Sequence, residues 1–252
     1  MAEQYGLSAD ELLLIDDRWS WALRLLSDLV DDEDVVDEES GSEEPTSEAA
    51  EATGQVGSAA DLVAGYDPDD PQSNSLTGDA GDDMLDGMEG ADDLSGGRGD
   101  DLLDGGGGGD RLLGGDGDDM LLGQAGGDDL YGGAGDDDIG GDGGSDRLTG
   151  GDGSDIFSFD LVAAGLAGVD TITDFARGQD LLWIMGDGAG WLTLDSDDSG
   201  TLDDDDLSVS IDADGMRIAL DGMHSDLAGT GAAILLQGIV ELDRGDVVLV
   251  GI

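Results

Sequence analysis

Large apolar residues recur at every ninth position through the middle third of the chain. Nine nonapeptides run from Gly78 to Ser158 without an insertion, with Gly at positions 1 and 4 and Asp at position 6 of every copy. Position 8 is always a large apolar residue: Leu85, Leu94, Leu103, Leu112, Leu121, Leu130, Ile139, Leu148 and Phe157. Six residues rich in Gly and Asp favour a turn, and the next three favour a short strand. The pattern therefore predicts stacked half-turns, each with one inward side chain.

The flanking segments have different patterns. Apolar residues at helical spacing after Ser8 and Glu11, a capping box, predict a helix within residues 1–30. Residues 31–75 are acidic and aperiodic, which predicts a solvated linker. The repeat unit then covers 76–158 and a β-rich cap covers 159–252. In the cap, strands are predicted at 170–175, 181–184, 233–236 and 247–252, with a hairpin of 207–211 and 216–220 around Asp212–Gly215.

The composition indicates that the chain needs a counter-ion in order to fold. The chain has 63 acidic and 8 basic residues, a formal net charge of −55, and only 4% aromatic residues. Such a chain repels nucleic acid and anionic membranes, and low hydrophobicity with high charge favours disorder unless the charge is neutralised. General adaptation to high salt is an alternative reading of an acidic composition, but here the acid is periodic, which favours specific binding. Cysteine is absent, so neither disulfides nor thiolate metal sites are available.

The repeat supplies the ligands of a hard cation. Glycines in the turn allow backbone carbonyls to face a common centre, and the Asp at position 6 adds carboxylate oxygen. Oxygen ligands at flexible distances suit Ca²⁺, and the scarcity of His with no Cys argues against zinc or copper. The candidate ligands at position 6 are Asp83, Asp92, Asp101, Asp110, Asp119, Asp128, Asp137, Asp146 and Asp155. A Gly/Asp linker without a fold would not require the strict apolar residue at position 8.

The repeats resemble the RTX family (repeats-in-toxin, or hemolysin-type calcium-binding repeats). The resemblance also covers "DTITDF", "GQDLL" and the closing "ILLQGIVELDRGDVVLV", so it extends over about residues 76–252. It implies a mainly β fold: a calcium-bound parallel β-roll with a C-terminal β cap, added to the N-terminal α-helix and acidic linker. It also implies that two nonapeptides make one turn and that the aspartates of repeats n and n+2 share an ion. Four odd-numbered and three even-numbered pairs would give up to about seven ions.

A second calcium motif is predicted inside the cap. Residues 195–206 match the order of an EF-hand loop, in which the ligands would be Asp195, Asp197, Ser199, Thr201 and Asp206. Position 12 is Asp206 rather than the usual Glu, and no full entering helix precedes the loop. An acidic surface turn is therefore the equal alternative, and one more ion is expected only if the loop binds.

The resemblance implies a secreted, extracellular or cell-surface protein that leaves through a type I secretion apparatus, which reads an uncleaved C-terminal signal. The N-terminus has no pattern of a cleaved signal peptide, and no apolar run is long enough for stable membrane insertion. His224 is the only histidine and has no nucleophile motif nearby, so we expect no enzyme activity. The main expectation is a structural, adhesive or interaction role, with the N-terminal helix docking on the cap, self-associating or binding a protein partner. The alternative is a small secreted effector or enzyme with its activity in the N-terminal segment or the cap.

Overall fold

A computed structural model describes residues 53–55, 62–64, 73–161, 167–186, 199, 201–203, 206, 208–220 and 230–251. All of them belong to one compact unit, Thr53–Ile252. The predicted N-terminal helix, most of the predicted linker, and Asp195, Asp197 and His224 lie outside the described residues.

Short parallel strands stack into two large sheets. The chain crosses from one sheet to the other with every nonapeptide. Within the nine repeats, each strand therefore pairs with the strand 18 residues away, as Leu94 pairs with Leu112. Ten strands form the first sheet, in the spatial order β1-β3-β5-β8-β11-β14-β16-β21-β20-β19. Their bounds are β1 Thr53–Gln55, β3 Ser75–Thr77, β5 Asp93–Arg98, β8 Arg111–Asp116, β11 Asp129–Ala134, β14 Arg147–Asp152, β16 Val169–Ile172, β19 Val209–Ile211, β20 Gly215–Ala219 and β21 Ala233–Gln237.

The second sheet has eight strands, in the spatial order β2-β4-β6-β9-β12-β15-β17-β23. Their bounds are β2 Leu62–Ala64, β4 Met84–Asp86, β6 Leu102–Asp104, β9 Met120–Leu122, β12 Asp138–Gly140, β15 Ile156–Asp160, β17 Leu181–Gly186 and β23 Val247–Gly251. Along one edge a three-stranded sheet joins the turns of the even-numbered repeats: β7 Gly107–Gly108, β10 Ala125–Gly126 and β13 Gly143–Gly144. The fold is therefore mainly β with parallel sheets, as expected of a β-roll.

The core is a stack of the position 8 side chains. All nine are fully buried and form one cluster with Leu76, Ile172 and Leu182. Each repeat contributes one such side chain from alternating sheets, which explains why a chain with few aromatic residues can still build a continuous core. One inward residue per nonapeptide makes this core thin relative to the turns that enclose it.

The stack extends beyond the nine complete repeats at both ends. Before them, β1 pairs with β3 and β2 pairs with β4. Strands β1 and β2 fall within residues 31–75, where the sequence predicts only a linker. After them, β16 pairs with β14 and β17 pairs with β15, which places Ile172 beside Leu148 and Leu182 beside Phe157. Hence Ile172 and Leu182 occupy position 8 of one additional coil.

The rest of the C-terminal segment closes the stack with antiparallel pairs. Strands β19 and β20 form a hairpin in which Ile211 pairs with Met216, and β20 pairs in turn with β21. A two-stranded sheet joins β18 (Thr201–Leu202) to β22 (Leu242–Asp243). A 3-10 helix, Arg244–Asp246, leads into β23. The strands predicted at 181–184, 233–236 and 247–252 are found as β17, β21 and β23, and the predicted hairpin is found as β19 and β20. The strand predicted at 170–175 is shorter, because β16 ends at Ile172.

The turns at the two edges differ in backbone conformation. At position 2 of even-numbered repeats, Met88, Gln124 and Asp142 adopt φ of 69°, 68° and 59°. This is the left-handed helical region, which residues other than glycine can enter at moderate cost. At position 2 of odd-numbered repeats, Gly97 and Gly115 have φ of 117° and 135°, where a Cβ is far less tolerated. Three of the four position 2 residues that are not glycine therefore lie where the turn accepts a side chain. The fourth, Asp79, lies in the first repeat and does not have a positive φ.

Candidate metal centre

The position 6 aspartates form two buried ladders, one along each edge of the stack. Each of the nine is at most 3% exposed. Within a ladder, the backbone N–H of one Asp donates to Oδ1 of the Asp 18 residues later: Asp83 to Asp101, 2.7 Å; Asp92 to Asp110, 2.7 Å; Asp101 to Asp119, 2.8 Å; Asp110 to Asp128, 2.8 Å; Asp119 to Asp137, 2.9 Å; Asp128 to Asp146, 2.9 Å; and Asp137 to Asp155, 3.1 Å. These are the same seven pairs that the resemblance implies.

The second carboxylate oxygen of most of these aspartates is buried without a hydrogen-bond donor. This holds for Oδ2 of Asp92, Asp101, Asp110, Asp119, Asp128, Asp137, Asp146 and Asp155. A buried polar atom without a partner is rare, because it loses its hydration and gains nothing in return. A series of eight such atoms in equivalent positions indicates a ligand that the chain itself does not provide.

Five of these oxygens lie beside a backbone carbonyl of the next coil: Oδ2 of Asp92, Asp110, Asp119, Asp128 and Asp137. At Gly123, a Cβ would stand 2.7 Å from Asp128 Oδ2 and 2.9 Å from the carbonyl oxygen of Gly141. At Gly87 the corresponding distances are 2.7 Å to Asp92 Oδ2 and 2.6 Å to the carbonyl oxygen of Gly105. Position 1 must therefore be glycine, since a side chain would fill the space between the two oxygens. A pocket bounded by carboxylate and carbonyl oxygens suits Ca²⁺, whose oxygen ligands lie at about 2.3–2.6 Å.

Asn74 shows what a hydrogen-bond donor does at the same place. It occupies position 6 of the partial repeat before Gly78, and its Nδ2 donates to the carbonyl oxygen of Gly87 over 3.1 Å. Its backbone N–H donates to Asp92 Oδ1, as in the ladder. With Asp instead of Asn, two oxygen acceptors face each other and neither can donate a hydrogen bond to the other. The amide of Asn74 therefore closes the N-terminal end of the even-numbered ladder.

Burial raises the pKa of the ladder aspartates, so that their carboxyl groups ionise less readily. It raises the pKa of Asp119 to about 8, the pKa of Asp101 and Asp137 to about 7 and the pKa of Asp110 to about 6, against an ordinary value of 3.8. These pKa values are net results: neighbouring carboxylates also contribute to the rise, and the N–H donors of the ladder offset part of it. At neutral pH these carboxyl groups therefore ionise fully only when positive charge lies nearby.

A second row of aspartates, at position 5, has a different role. Asp82, Asp100, Asp118 and Asp136 occur only in odd-numbered repeats, and each accepts at Oδ1 the backbone N–H of the residue 18 positions later. These bonds are exposed and run in the opposite direction to those of the buried ladder. The position 5 row therefore supports the turns from outside and does not line the oxygen pockets.

Two aspartates that continue the ladders were missed by the sequence analysis. Asp146 N–H donates to Asp170 Oδ1 over 3.0 Å, and Asp155 N–H donates to Asp180 Oδ1 over 3.2 Å. Both are buried, at 4% and 5% exposure. The available signal was the triplet of Asp, any residue and a large apolar residue, present as Asp170-Thr-Ile172 and Asp180-Leu-Leu182. Asp170 and Asp180 follow their ladder neighbours by 24 and 25 residues, instead of the 18 residues found within the repeats. The nonapeptide period therefore does not predict them.

The predicted EF-hand loop is described only in part. Ser199 Oγ donates to the carbonyl oxygen of Thr201 over 3.1 Å, so the predicted carbonyl ligand already accepts a hydrogen bond. Asp206 is buried, and its Oδ2 accepts the N–H of Asp203 over 3.2 Å. The structure thus places three of the five predicted ligands in a network of local hydrogen bonds. Calcium binding by this loop stays a prediction.

Side chains alone do not complete a metal site in the part of the chain that the structure describes. No group of three or more His, Cys, Asp or Glu side chains converges there in a ligating arrangement. The pockets consist of one or two carboxylates with backbone carbonyls, which is a calcium-type set rather than a transition-metal set. Among the described helices, none is long and apolar enough to cross a membrane. The fold is a parallel β solenoid with oxygen-lined pockets between its coils.

Comparison with known proteins identifies the repeats. Residues 70–103, 104–139 and 134–161 match the family description of the RTX calcium-binding nonapeptide repeat in four copies. A relative, the mannuronan C5-epimerase AlgE5 of Azotobacter vinelandii, is 36% identical over 91 residues. That alignment spans 35% of this chain and 8% of the epimerase. The central segment is thus an array of RTX calcium-binding repeats.

Two solved structures have local similarity to the chain. One is the solution structure of the AlgE6R3 subunit from the Azotobacter vinelandii mannuronan C5-epimerase, with 27% identity and a TM-score of 0.20 over 59% of this chain and 77% of that one. The other is the crystal structure of the extracellular lipase LipA from Serratia marcescens, with 16% identity and a TM-score of 0.32 over 77% of this chain and 40% of that one.

Proposed function

We propose that this chain is a secreted protein whose repeat array folds when calcium enters the pockets between its coils. The observation that carries the proposal is the series of buried, donor-free Oδ2 atoms facing backbone carbonyls. In each ladder pair the ion would be held by two position 6 carboxylates and by turn carbonyls, which gives up to about seven ions. Bound calcium supplies the positive charge that these oxygens lack.

Folding and binding are coupled because the metal-free array is poorly stabilised. The core receives one large side chain per nonapeptide, while every turn must order several glycines and bury a carboxylate. An ion that binds only the folded state adds about 2.7 kcal/mol when free calcium is a hundredfold above its Kd. Several ions together match the roughly 5–15 kcal/mol of an ordinary domain. We therefore expect an unfolded array at cytosolic calcium and a folded one at extracellular calcium.

This coupling would suit export through a type I secretion apparatus. A chain that stays unfolded inside the cell can be threaded through a channel, and millimolar calcium outside would then fold it. The prediction is that the full chain accumulates in the culture medium of its source organism and stays in the cells when the exporter is deleted. Retention of export in the exporter mutant would refute this part of the proposal.

We propose a non-catalytic, structural or interaction role for the protein as a whole. The position 6 aspartates are fully accounted for by the ladders, so they provide no free acid–base pair. The alternative, an effector or enzyme activity in the N-terminal segment or cap, is tested by deleting residues 1–75. Loss of a biological activity with calcium-induced folding retained would support that alternative.

Calcium binding is tested by calorimetric titration of the full chain, with magnesium as the competing ion. Two adjacent residues form a matched pair: Asp119 is buried in a ladder, whereas Asp118 lies in the exposed position 5 row. We expect Asp119→Asn to lose at least one calcium ion per chain and Asp118→Asn to keep the wild-type number. Equal ion counts in the two variants would remove the ladders from the binding site.

A further inference from the structure

The outer face of the first sheet carries a column of alternating charges at position 7 of the even-numbered repeats. Strand register places four side chains next to one another along this column: Asp93, Arg111, Asp129 and Arg147. Each precedes a buried position 8 residue and points the opposite way, and about half of each side chain is exposed. The second sheet has a mostly apolar set at the same position: Met84, Leu102, Met120, Asp138 and Ile156. The charge pattern therefore belongs to one face of the stack.

Local charge balance distinguishes this face in a very acidic chain. Arg98, Arg111 and Arg147 are the only basic residues of the nine repeats, and all three lie on strands of the first sheet. In the column, Arg111 lies 3.2 Å from Asp93. Arg147 lies 3.7 Å from Asp129, so that two arginines balance two aspartates. A second copy of a chain with net charge −55 meets less repulsion at this face than at the position 5 row, which consists of aspartates.

Two larger side chains lie at the centre of this face. Position 9 of the even-numbered repeats also points outward, and its residues in strand order are Ser95, Leu113, Tyr131 and Thr149. Leu113 and Tyr131 are half-buried and lie on the adjacent strands β8 and β11. The guanidinium carbon of Arg111 lies 5.8 Å from the centre of the Tyr131 ring. An apolar and aromatic centre with Arg beside it and a polar rim is typical of protein–protein contacts.

A two-fold axis makes this face complementary to itself. The axis would lie parallel to the strands, midway between β8 and β11, so that a second copy faces the first with its stack reversed. Arg111 would then lie opposite Asp129 of the second copy, and Asp93 opposite its Arg147. The two-fold axis also generates the reciprocal contacts, because both copies use the same patch. Every charge of the column would therefore meet a charge of opposite sign.

We propose that two copies of this chain associate through the outer face of the first sheet, over β5, β8, β11 and β14. The same axis sets Leu113 of one copy against Tyr131 of the other at the centre of the contact. Four strands about 4.8 Å apart, with about 20 Å of outward surface along each, give about 400 Å² per copy. An interface of this size is weak, so dimerisation should depend on protein concentration. The inference goes beyond the proposed function and requires only that calcium folds the repeats.

The test uses two charge reversals that predict a specific rescue. Arg111→Glu and Asp129→Arg each place like charges opposite each other in a dimer of the variant with itself. One copy of each variant, in contrast, forms a contact in which all charges are complementary. The molar mass of the full chain is measured by sedimentation equilibrium in millimolar calcium, at constant ionic strength and over a wide range of protein concentration.

We expect the wild type to dimerise as its concentration rises. Each variant alone should dimerise at least about tenfold more weakly, because like charges face each other twice in the contact. An equimolar mixture of the two variants should dimerise as the wild type does. Arg217→Glu is the matched control: it makes the same change of charge on β20, four strands beyond β11 in the same sheet, and should leave dimerisation unchanged.

A wild-type chain that stays monomeric, although calcium induces its β signal, would overturn the inference and leave the proposed function intact. A mixture of the variants that stays monomeric would also overturn it, as would equal weakening by Arg217→Glu. If a reversed variant gives no β signal in calcium, Arg111→Gln and Asp129→Asn remove the same charges without adding repulsion. Both should still weaken the dimer, and unchanged dimerisation in both would contradict the proposed contact. A wild-type chain without a calcium-induced β signal would instead refute the proposed function.

Discussion

Replacing Gly123 by alanine tests the pocket with a single methyl group. The new Cβ would stand 2.7 Å from Asp128 Oδ2 and 2.9 Å from the Gly141 carbonyl oxygen, well inside the roughly 3.5 Å of an ordinary contact. Asp128 must then turn away, and its pocket loses both oxygens. The matched control is Gly127→Ala in the same repeat, where the nearest atom to the new Cβ, the Ser145 carbonyl oxygen, is 3.6 Å away. Neither glycine has a left-handed φ, so backbone strain does not separate the two variants.

The expected difference between the variants is large enough to measure. Loss of one ion removes about 2.7 kcal/mol at calcium a hundredfold above Kd. Gly127→Ala should be neutral or add about 0.4–1 kcal/mol, because alanine restricts the unfolded chain. The assay is urea unfolding at fixed millimolar calcium, followed by far-UV circular dichroism, with the ion count measured by calorimetry. Equal unfolding midpoints and equal ion counts for the two variants would refute the geometry of the pocket.

Three further predictions concern the side-chain amide of Asn74, the protonation of the buried aspartates and the hydrophobic core. Asn74→Asp replaces the donor to Gly87 by an acceptor, so native mass spectrometry should find one additional calcium ion per chain; an unchanged count contradicts the assignment of Asn74 as a closing amide. In EGTA, the raised folded-state pKa values of Asp101 and Asp119, about 7 and 8, mean that stabilisation by protonation is complete below about pH 4 and is lost as pH rises through 6–8. The β signal without calcium should therefore grow as pH falls from 9 to 5, and a signal that falls instead would contradict the burial of these carboxylates. Leu112→Ala removes a fully buried side chain and should cost about 2–5 kcal/mol in urea unfolding with calcium, whereas Leu113→Ala, at half-buried position 9, should cost far less.

The periodic part of the fold could be predicted from the sequence because every repeat has the same local requirements. Gly at position 1 leaves space for the oxygens, Asp at position 6 accepts the ladder N–H, and the residue at position 8 fills the core. A fixed period of nine then sets which aspartates are neighbours. Together with the two nonapeptides per turn that the resemblance to RTX repeats implies, this register gives the seven ladder pairs, and the structure has each of them.

The ends of the stack could not be predicted in the same way. Asp170 and Asp180 follow insertions that break the period, and only pairing of β16 and β17 with the repeat strands brings them into the ladders. The early strand Leu62–Ala64 and the partial repeat at Asn74 lack the Gly and Asp that mark a complete copy. At these positions strand pairing, which is not visible in a local motif, determines the structure.

The most direct test of calcium-dependent folding is the far-UV circular dichroism of the full chain at pH 7.5, in EGTA and then in millimolar calcium. We expect a weak, mainly disordered spectrum in EGTA and a strong β spectrum in calcium, and the disordered spectrum should return when excess EGTA is added. Identical spectra under the two conditions would contradict the central claim that calcium is a condition of this fold.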